Sequence, residues 1–379
     1  MVAAQRSGRQ VVAVLSAMGG TTDQLVTQAR GMSSRPQLRE LDALLAVGES
    51  VSCALAAMAI GEMGSRAVSL TGSQAGILTD GRHGDARLQA VHPLRILEEL
   101  DAGAIVLVTG FQGVAPNGDV TTLGRGGSDA SAVAVAAALG RPECEIFTDV
   151  DGVFTAAPRL VPDARQLPAV GREEMRMLAA AGAAVLQPRA IELAIDHDID
   201  IHVRSSFTGR PGTWIMEEAS MFETFDIVGV AHRDQDPCYT VRGLSPATIA
   251  AALAQRGAVI GTLVRHGSDV LFTAPGTDEA EVAAVVTSSG GSVEVWDELG
   301  TVTVVGTAIG RLPDVAARAL LALERSAIDP LLVTSTPAYV SFHVPPRLVP
   351  TAVRSLHDLF ALAQTPAVGA RVASVAGSA

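Results

Sequence analysis

The chain has 379 residues, 48% of them hydrophobic and 18% charged, with a formal net charge of -12, enough apolar material for two or three domains with cores of their own. An acidic chain disfavours nucleic acid, and no window of eighteen uncharged apolar residues or basic-then-apolar leader occurs, so a cytoplasmic protein with a small-molecule substrate and neither membrane nor nucleic-acid partner is expected. Three widely spaced cysteines, Cys53, Cys144 and Cys238, form no metal-binding pair, and all 28 basic residues are arginine, which removes every lysine-dependent step.

From residue 11 to about 215, β-branched apolar runs alternate with alanine-rich stretches, the pattern of a mostly parallel sheet covered by helices. Strands are expected at 11–16, 67–71, 104–110, 145–148 and 201–204, each a continuous apolar run of the kind buried on both faces. Helices are expected at 41–63 and 129–139. After a bridge near 217–226 the pattern changes to short strands with one helix apiece, in two approximate copies. The first reads strand 238–242, helix 246–256, strand 270–273. The second reads strand 301–306, helix 314–326, strand 338–344, helix 350–362. Both copies fit a ferredoxin-like βαββαβ module, and the Ala/Ser/Gly-rich tail after Gln364 is expected to be unstructured.

Three segments carry chemistry. Leu123–Ala132 reads LGRGGSDASA, a glycine turn running into an alanine-rich helix. Such a turn ending in Ser-Asp is an ordinary helix N-cap, but capping does not explain Arg125. An arginine there can clamp a carboxylate in bidentate fashion, with Gly126 and Gly127 admitting close backbone approach and Ser128 and Asp129 at a helix N-terminus. Phe147–Arg159 reads FTDVDGVFTAAPR and places Thr148, Asp149 and Asp151 at the carboxyl end of a buried strand. That is where α/β folds bind ligands, although Asp before a glycine turn also serves local hydrogen bonding. Gly48–Ser52 reads GESVS and sets Glu49 in an otherwise apolar helix, either on its solvated face or turned inward to a ligand.

Taken in order, VVAVLSAMGGTTDQLV from Val11, LLAVGESVSCAL from Leu44, TGSQAGILTDGRHGDARL from Thr71, GFQGVAPNGDVTTLGRGGSDASA from Gly110, FTDVDGVFTAAPRLVPDA from Phe147 and GAAVLQPRAIELA from Gly182 resemble the aspartate kinases. The resemblance is continuous over about two hundred residues and weaker beyond, where the sequence is similar to tandem ACT modules. It implies an amino-acid kinase domain at 1–222, a first ACT module at 223–300 and a second at 301–379, the last including the tail. The activity it implies is ATP- and Mg2+-dependent phosphorylation of the aspartate side-chain carboxylate, in a homodimer joined through the ACT modules. Carried over by position, Arg125 holds the substrate α-carboxylate, Glu49 its ammonium, and Ser16, Thr22, Ser128 and Asp129 complete the aspartate site. Arg125 and Asp129 are the catalytic pair. Thr148, Asp149, Phe154 and Arg159 fall where the family binds nucleotide, and no metal ligand is assigned to the protein itself.

The chain departs from the family in ways that bear on turnover. The family opens with a strand and a Lys-Phe-Gly-Gly-Thr-Ser-like phosphate loop, whereas Met1–Gln10 matches the helix before the second strand. A gap in the sheet with unpaired neighbouring strands is therefore expected. Ala157 replaces an aspartate, Ala184 a nucleotide-binding lysine, Gln187 a histidine and Phe154 a tyrosine. A catalytically impaired regulatory paralogue, or a kinase-like protein recruited to another carboxylate, stands as the alternative. In the second module PAYV at 337–340 stands where the family usually carries a glutamate and a lysine, and Pro313-Asp314 replaces a Pro-Gly effector-loop start, so weak or absent inhibition by threonine and lysine is expected.

Overall fold

Five consecutive buried residues, Ile105–Thr109, form the middle strand of a parallel sheet, as a run covered on both faces requires. The computed structural model describes residues 1–217, 227–297, 299–306, 309–312 and 314–364. Residues 218–226 of the expected bridge, Pro313 and the tail after Gln364 lie outside them.

In chain order the first elements are α1 (Val2–Arg6), β1 (Val12–Leu15), α2 (Thr21–Met32), α3 (Leu38–Leu45), α4 (Val47–Glu62), β2 (Ala67–Leu70), β3 (Ile77–Thr79) and β4 (Leu88–Val91). They continue with α5 (Leu94–Asp101), β5 (Ile105–Thr109), β6 (Gln112–Val114), β7 (Val120–Thr122), α6 (Gly127–Ala138), β8 (Glu143–Thr148), β9 (Ala169–Gly171), α7 (Arg172–Ala180), α8 (Pro188–Asp196), β10 (Asp200–Ser205) and β11 (Thr213–Met216). The last third holds β12 (Gly229–Arg233), β13 (Cys238–Arg242), α9 (Pro246–Ala254), β14 (Leu263–His266), β15 (Asp269–Thr273) and α10 (Glu279–Ser288). It ends with β16 (Ser292–Asp297), β17 (Gly300–Val305), α11 (Val315–Arg325), β18 (Leu332–Ser335), β19 (Tyr339–Val344) and α12 (Val349–Leu359).

The chain divides into two compact units, Met1–Asp151 with Val185–Glu217, and Gly152–Ala184 with the C-terminal part from Glu218. In the first unit β1, β5 and β2 form a parallel sheet in the order β1-β5-β2. Val106 and Val108 pack on one face with Ile77, Ile96, Leu100 and Val135. Ile105 and Leu107 pack on the other with Cys53 and Ile60 of α4. The parallel strands expected as one sheet fall into two, since β8 pairs in parallel with β10 and not with β1. Both β1 and β8 are end strands, and α6 packs against each.

The helix expected at 41–63 is two helices, broken at Ala46, whose carbonyl accepts a hydrogen bond from Gln112 Nε2 at 2.8 Å. Together α3 and α4 are long and apolar enough by composition to cross a membrane. The break, and the buried carboxylates of Asp42 and Glu49, suit instead a helix pair packed on protein.

The second unit contains two four-stranded antiparallel sheets, β14-β15-β13-β16 and β12-β17-β19-β18. The first, with α9 and α10, has a core of Tyr239, Val241, Phe272, Val282 and Val286. The second, with α11 and α12, has a core of Val302, Val304, Val340, Phe342 and Leu356, to which Ala156 and Val161 also contribute. β12 lies in the range expected for the first module but pairs with β17, so it closes the sheet of the second. Likewise Gly152–Ala184, within the range expected for the kinase domain, belongs to the second unit.

Candidate active site

The carboxyl ends of β1 and β5 meet the N-terminal turns of α4 and α6. A Cβ on Gly48 would meet the Ala17 side chain at 2.9 Å, and one on Gly110 would sit 2.7 Å from Ser128 Oγ. Small residues thus let the strand ends approach both helix starts, bringing Ser16, Glu49, Ser128 and Asp129 into one neighbourhood. Helix N-termini carry unsatisfied N–H groups and partial positive charge, and α6 begins without a side-chain cap, the arrangement that receives a carboxylate or phosphate.

Glu49 is 3% exposed. Ala17 N donates to its Oε1 at 3.2 Å, while Oε2 is buried with no hydrogen-bond partner. Burial raises the pKa of this carboxyl, partly offset by the backbone N–H groups of Glu49 and Ala17. A buried carboxylate oxygen without a donor is costly unless a cation or N–H group arrives to meet it. Glu49 is thus turned inward and is not on a solvated face.

Asp129, in the first turn of α6, is half-buried, and burial pushes its carboxyl up to about 6. Arg125 is exposed on the turn before α6 and makes no hydrogen bond or ion pair with another described residue. Gly126, next to it, has φ +69° and a Cβ there would lie 2.0 Å from Gln187 Cγ, so this turn is open only to glycine. Thr22 lies half-buried in α2, and Ser16 is exposed just past β1.

Two residues that the sequence reading did not single out hold this turn in place. Asp42 of α3, 1% exposed, accepts from Gly84 N at 3.1 Å, from Thr122 Oγ1 at 2.5 Å and from His83 Nδ1 at 2.8 Å. Arg189 of α8 donates to the carbonyls of Leu123 at 2.7 Å and Ala86 at 2.6 Å. They tie the 80–86 loop and the stem of the Arg125 turn to α3 and α8.

The expected nucleotide residues divide between the two units. Thr148 ends β8 in the first and Asp149 follows it; Thr148 Oγ1 donates to Asp149 Oδ1 at 3.2 Å and Thr148 O accepts from Ser206 N at 2.7 Å. Asp151 accepts from Thr208 Oγ1 at 2.6 Å and pairs with Arg210 at 3.0 Å, so it fastens the 206–210 loop to the end of β8. Phe154 and Arg159 lie in the second unit. There Arg159 Nη2 sits 3.0 Å from both His232 Nε2 and Asp234 Oδ2, and burial holds the His232 pKa below its usual value. The nearby Thr155 Oγ1 lies 3.0 Å from His357 Nε2. All three cysteines are buried, and burial pushes the thiols of Cys53 and Cys144 up to about 12 and that of Cys238 to about 11. Small inert hydrophobes describe them.

Comparison with known proteins gives a consistent result. Residues 1–205 match the model of the amino acid kinase family. The chain is 42% identical over 373 residues to the aspartokinase of Geobacillus stearothermophilus, covering 96% of this chain and 92% of that protein. It is 40% identical over 379 residues to aspartokinase 2 of Bacillus subtilis, covering 96% and 93%. Its fold is similar to the crystal structure of E. coli aspartokinase III in complex with aspartate and ADP, with a TM-score of 0.81 at 22% identity over 94% of this chain and 95% of that one.

Proposed function

The chain belongs to the aspartokinase family, and from that premise we propose that it transfers the γ-phosphoryl group of ATP to the side-chain carboxylate of aspartate, giving 4-phospho-aspartate and ADP. The observation that carries this reading is the buried, unpartnered Oε2 of Glu49 beside two helix N-termini. An α-amino acid is a zwitterion. Its ammonium satisfies Glu49, its α-carboxylate is clamped by Arg125, and Ser16, Thr22, Ser128 and Asp129 supply the remaining polar contacts. With both α-substituents held, the side-chain carboxylate is the group left to attack phosphorus in line with the departing ADP oxygen. Phosphoryl transfer depends on positioning and on neutralising charge spread over the transferred oxygens. In a chain whose 28 basic residues are all arginine, that charge falls to arginines and helix termini.

Thr148 and Asp149, at the carboxyl end of β8, are proposed to contact the nucleotide. Among the described residues no group of three or more His, Cys, Asp or Glu side chains is placed to hold a metal. The donor set therefore offers no all-protein cage, and the Mg2+ proposed for this reaction suits delivery on the nucleotide phosphates, its usual mode. When bound it supplies positive charge to those phosphates. Ala184, standing where relatives of this family carry a nucleotide-binding lysine, points to turnover slower than substrate binding would suggest.

We further propose a cytoplasmic homodimer joined through the C-terminal modules, checked by light scattering at several concentrations. The function itself is tested by a coupled ADP-release and hydroxamate assay with Mg2+, ATP and aspartate. Aspartyl hydroxamate supports the kinase reading, whereas aspartate binding with no hydroxamate at any enzyme concentration replaces it with a regulatory paralogue.

A further inference from the structure

A second orphaned polar atom lies in the candidate site. Thr109 ends β5, is 1% exposed, and its Oγ1 has no hydrogen-bond partner. Side chains alternate along a strand, so Thr109 points to the same side as Ile105 and Leu107, which pack with Cys53 and Ile60 of α4. Glu49 lies four residues before Cys53 and so on the same face of α4. Four residues of helix rise roughly 6 Å and two residues of strand about 6.6 Å, so the two ladders stay in step. Both ladders therefore run from the Cys53 and Leu107 cluster toward the carboxyl end of the sheet, where Glu49 accepts from Ala17 N, two residues past Leu15, the register partner of Thr109.

These two groups face the same interface between α4 and β5, are both buried, and do not bond to each other. An ionised carboxylate only accepts hydrogen bonds, and a hydroxyl both accepts and donates. A ligand carboxylate or phosphate here would meet the Glu49 charge at close range. A group with several N–H donors and a positive charge satisfies both oxygens at once. We propose that Thr109 Oγ1 is a second acceptor for the substrate's α-ammonium group, beside Glu49 Oε2, and so helps select amino acids over dicarboxylates that lack the amine. This rests on the assignment of Glu49 to that ammonium. A structural role fits less well, because valine has the same shape and leaves no buried hydroxyl unsatisfied.

The test compares Thr109→Val and Thr109→Ser with the unaltered protein by calorimetric titration of aspartate, of succinate (the same dicarboxylate without the amine) and of ADP, together with melting temperature. Thr109→Val should melt no lower than the unaltered protein and lose about ten- to hundredfold in aspartate affinity, the usual cost of one hydrogen bond to a charged group. Its succinate and ADP affinities should not move, and Thr109→Ser should keep most of its aspartate affinity. The proposal is overturned if Thr109→Val binds aspartate normally, if aspartate and succinate weaken equally, or if serine is as poor as valine. Glu49→Gln separates this proposal from its premise. If preference for aspartate over succinate vanishes in Glu49→Gln and survives in Thr109→Val, only the Thr109 role falls; if the unaltered protein shows no such preference, the ammonium assignment of Glu49 falls with it.

Discussion

Replacing Glu49 by glutamine should stabilise the free protein and weaken its hold on aspartate. Glutamine keeps the shape and the oxygen that accepts from Ala17 N, but removes a charge that burial disfavours. Removing one partner of a desolvated charge pair costs about 2–4 kcal/mol in binding, or roughly 30- to 1000-fold in aspartate affinity. The stability gain has a pH signature. The folded pKa of Glu49 lies above its ordinary 4.5, so folded Glu49 holds a proton that the unfolded chain has already released. The unaltered protein therefore loses stability as pH rises from about 4.5 through the folded value, and the variant does not. The melting-temperature difference should be near zero below pH 4.5 and largest above the folded pKa, where about 1 kcal/mol shifts a unit of this size by about 2–4 °C. Differential scanning fluorimetry across pH, with aspartate titration calorimetry at pH 7.5, reads both effects. A variant that melts lower at every pH and binds aspartate normally would show that Glu49 is a structural carboxylate and remove the basis of the aspartate site.

Arg125→Ala should abolish measurable aspartate binding at millimolar concentrations while leaving the melting temperature within a degree or two, since Arg125 is exposed; unchanged affinity on calorimetry would refute the clamp. Asp129, with its carboxyl pushed up from 3.8 to about 6, should make the free protein lose stability as pH rises through that window, and Asp129→Asn should flatten that stretch in urea titrations at closely spaced pH values. Ala184→Lys should raise kcat by up to about a hundredfold with little change in KM for aspartate, and a hydroxamate assay showing no gain would place the neutralising charge elsewhere.

The strands at 12–15, 67–70, 105–109, 143–148 and 200–205 overlap the expected runs, but the burial expected on both faces holds for β5 alone. β1 and β2 are largely half-buried, and β8 and β10 alternate buried residues with exposed or half-buried ones, as strands covered on one face do. The break at Ala46 was not legible, because the apolar spacing continues through it and the Gln112 hydrogen bond that caps it comes from 66 residues away. The pairing of β12 with β17 escaped for the same reason, since strand partnership is a non-local choice that composition does not encode. Glu49 and Arg125 were visible as charges out of place in apolar or glycine-rich stretches. Thr109 was not, because a threonine at the end of a strand is ordinary until the alternation and the orphaned hydroxyl are seen together. Asp42 and Arg189 act through backbone groups of loops distant in sequence, which no local pattern reports.

The pairing of β12 with β17 makes the first module an insertion in the second rather than a neighbour of it. Arg233 lies opposite Thr301, and Asp236 N still donates to Leu299 O at 2.6 Å, so the chain leaves and re-enters the second sheet at almost the same point. Such a junction is a hairpin whose turn has grown into a domain. Exchanging residues 237–298 for a short Asn-Gly turn should leave the second module with its sheet and core complete, and its own melting transition would report that. A cut after Glu217 has the opposite character. It strips Ala156 and Val161 from the core they help fill, so of the two apparent seams in this chain only the inner one can be opened cleanly.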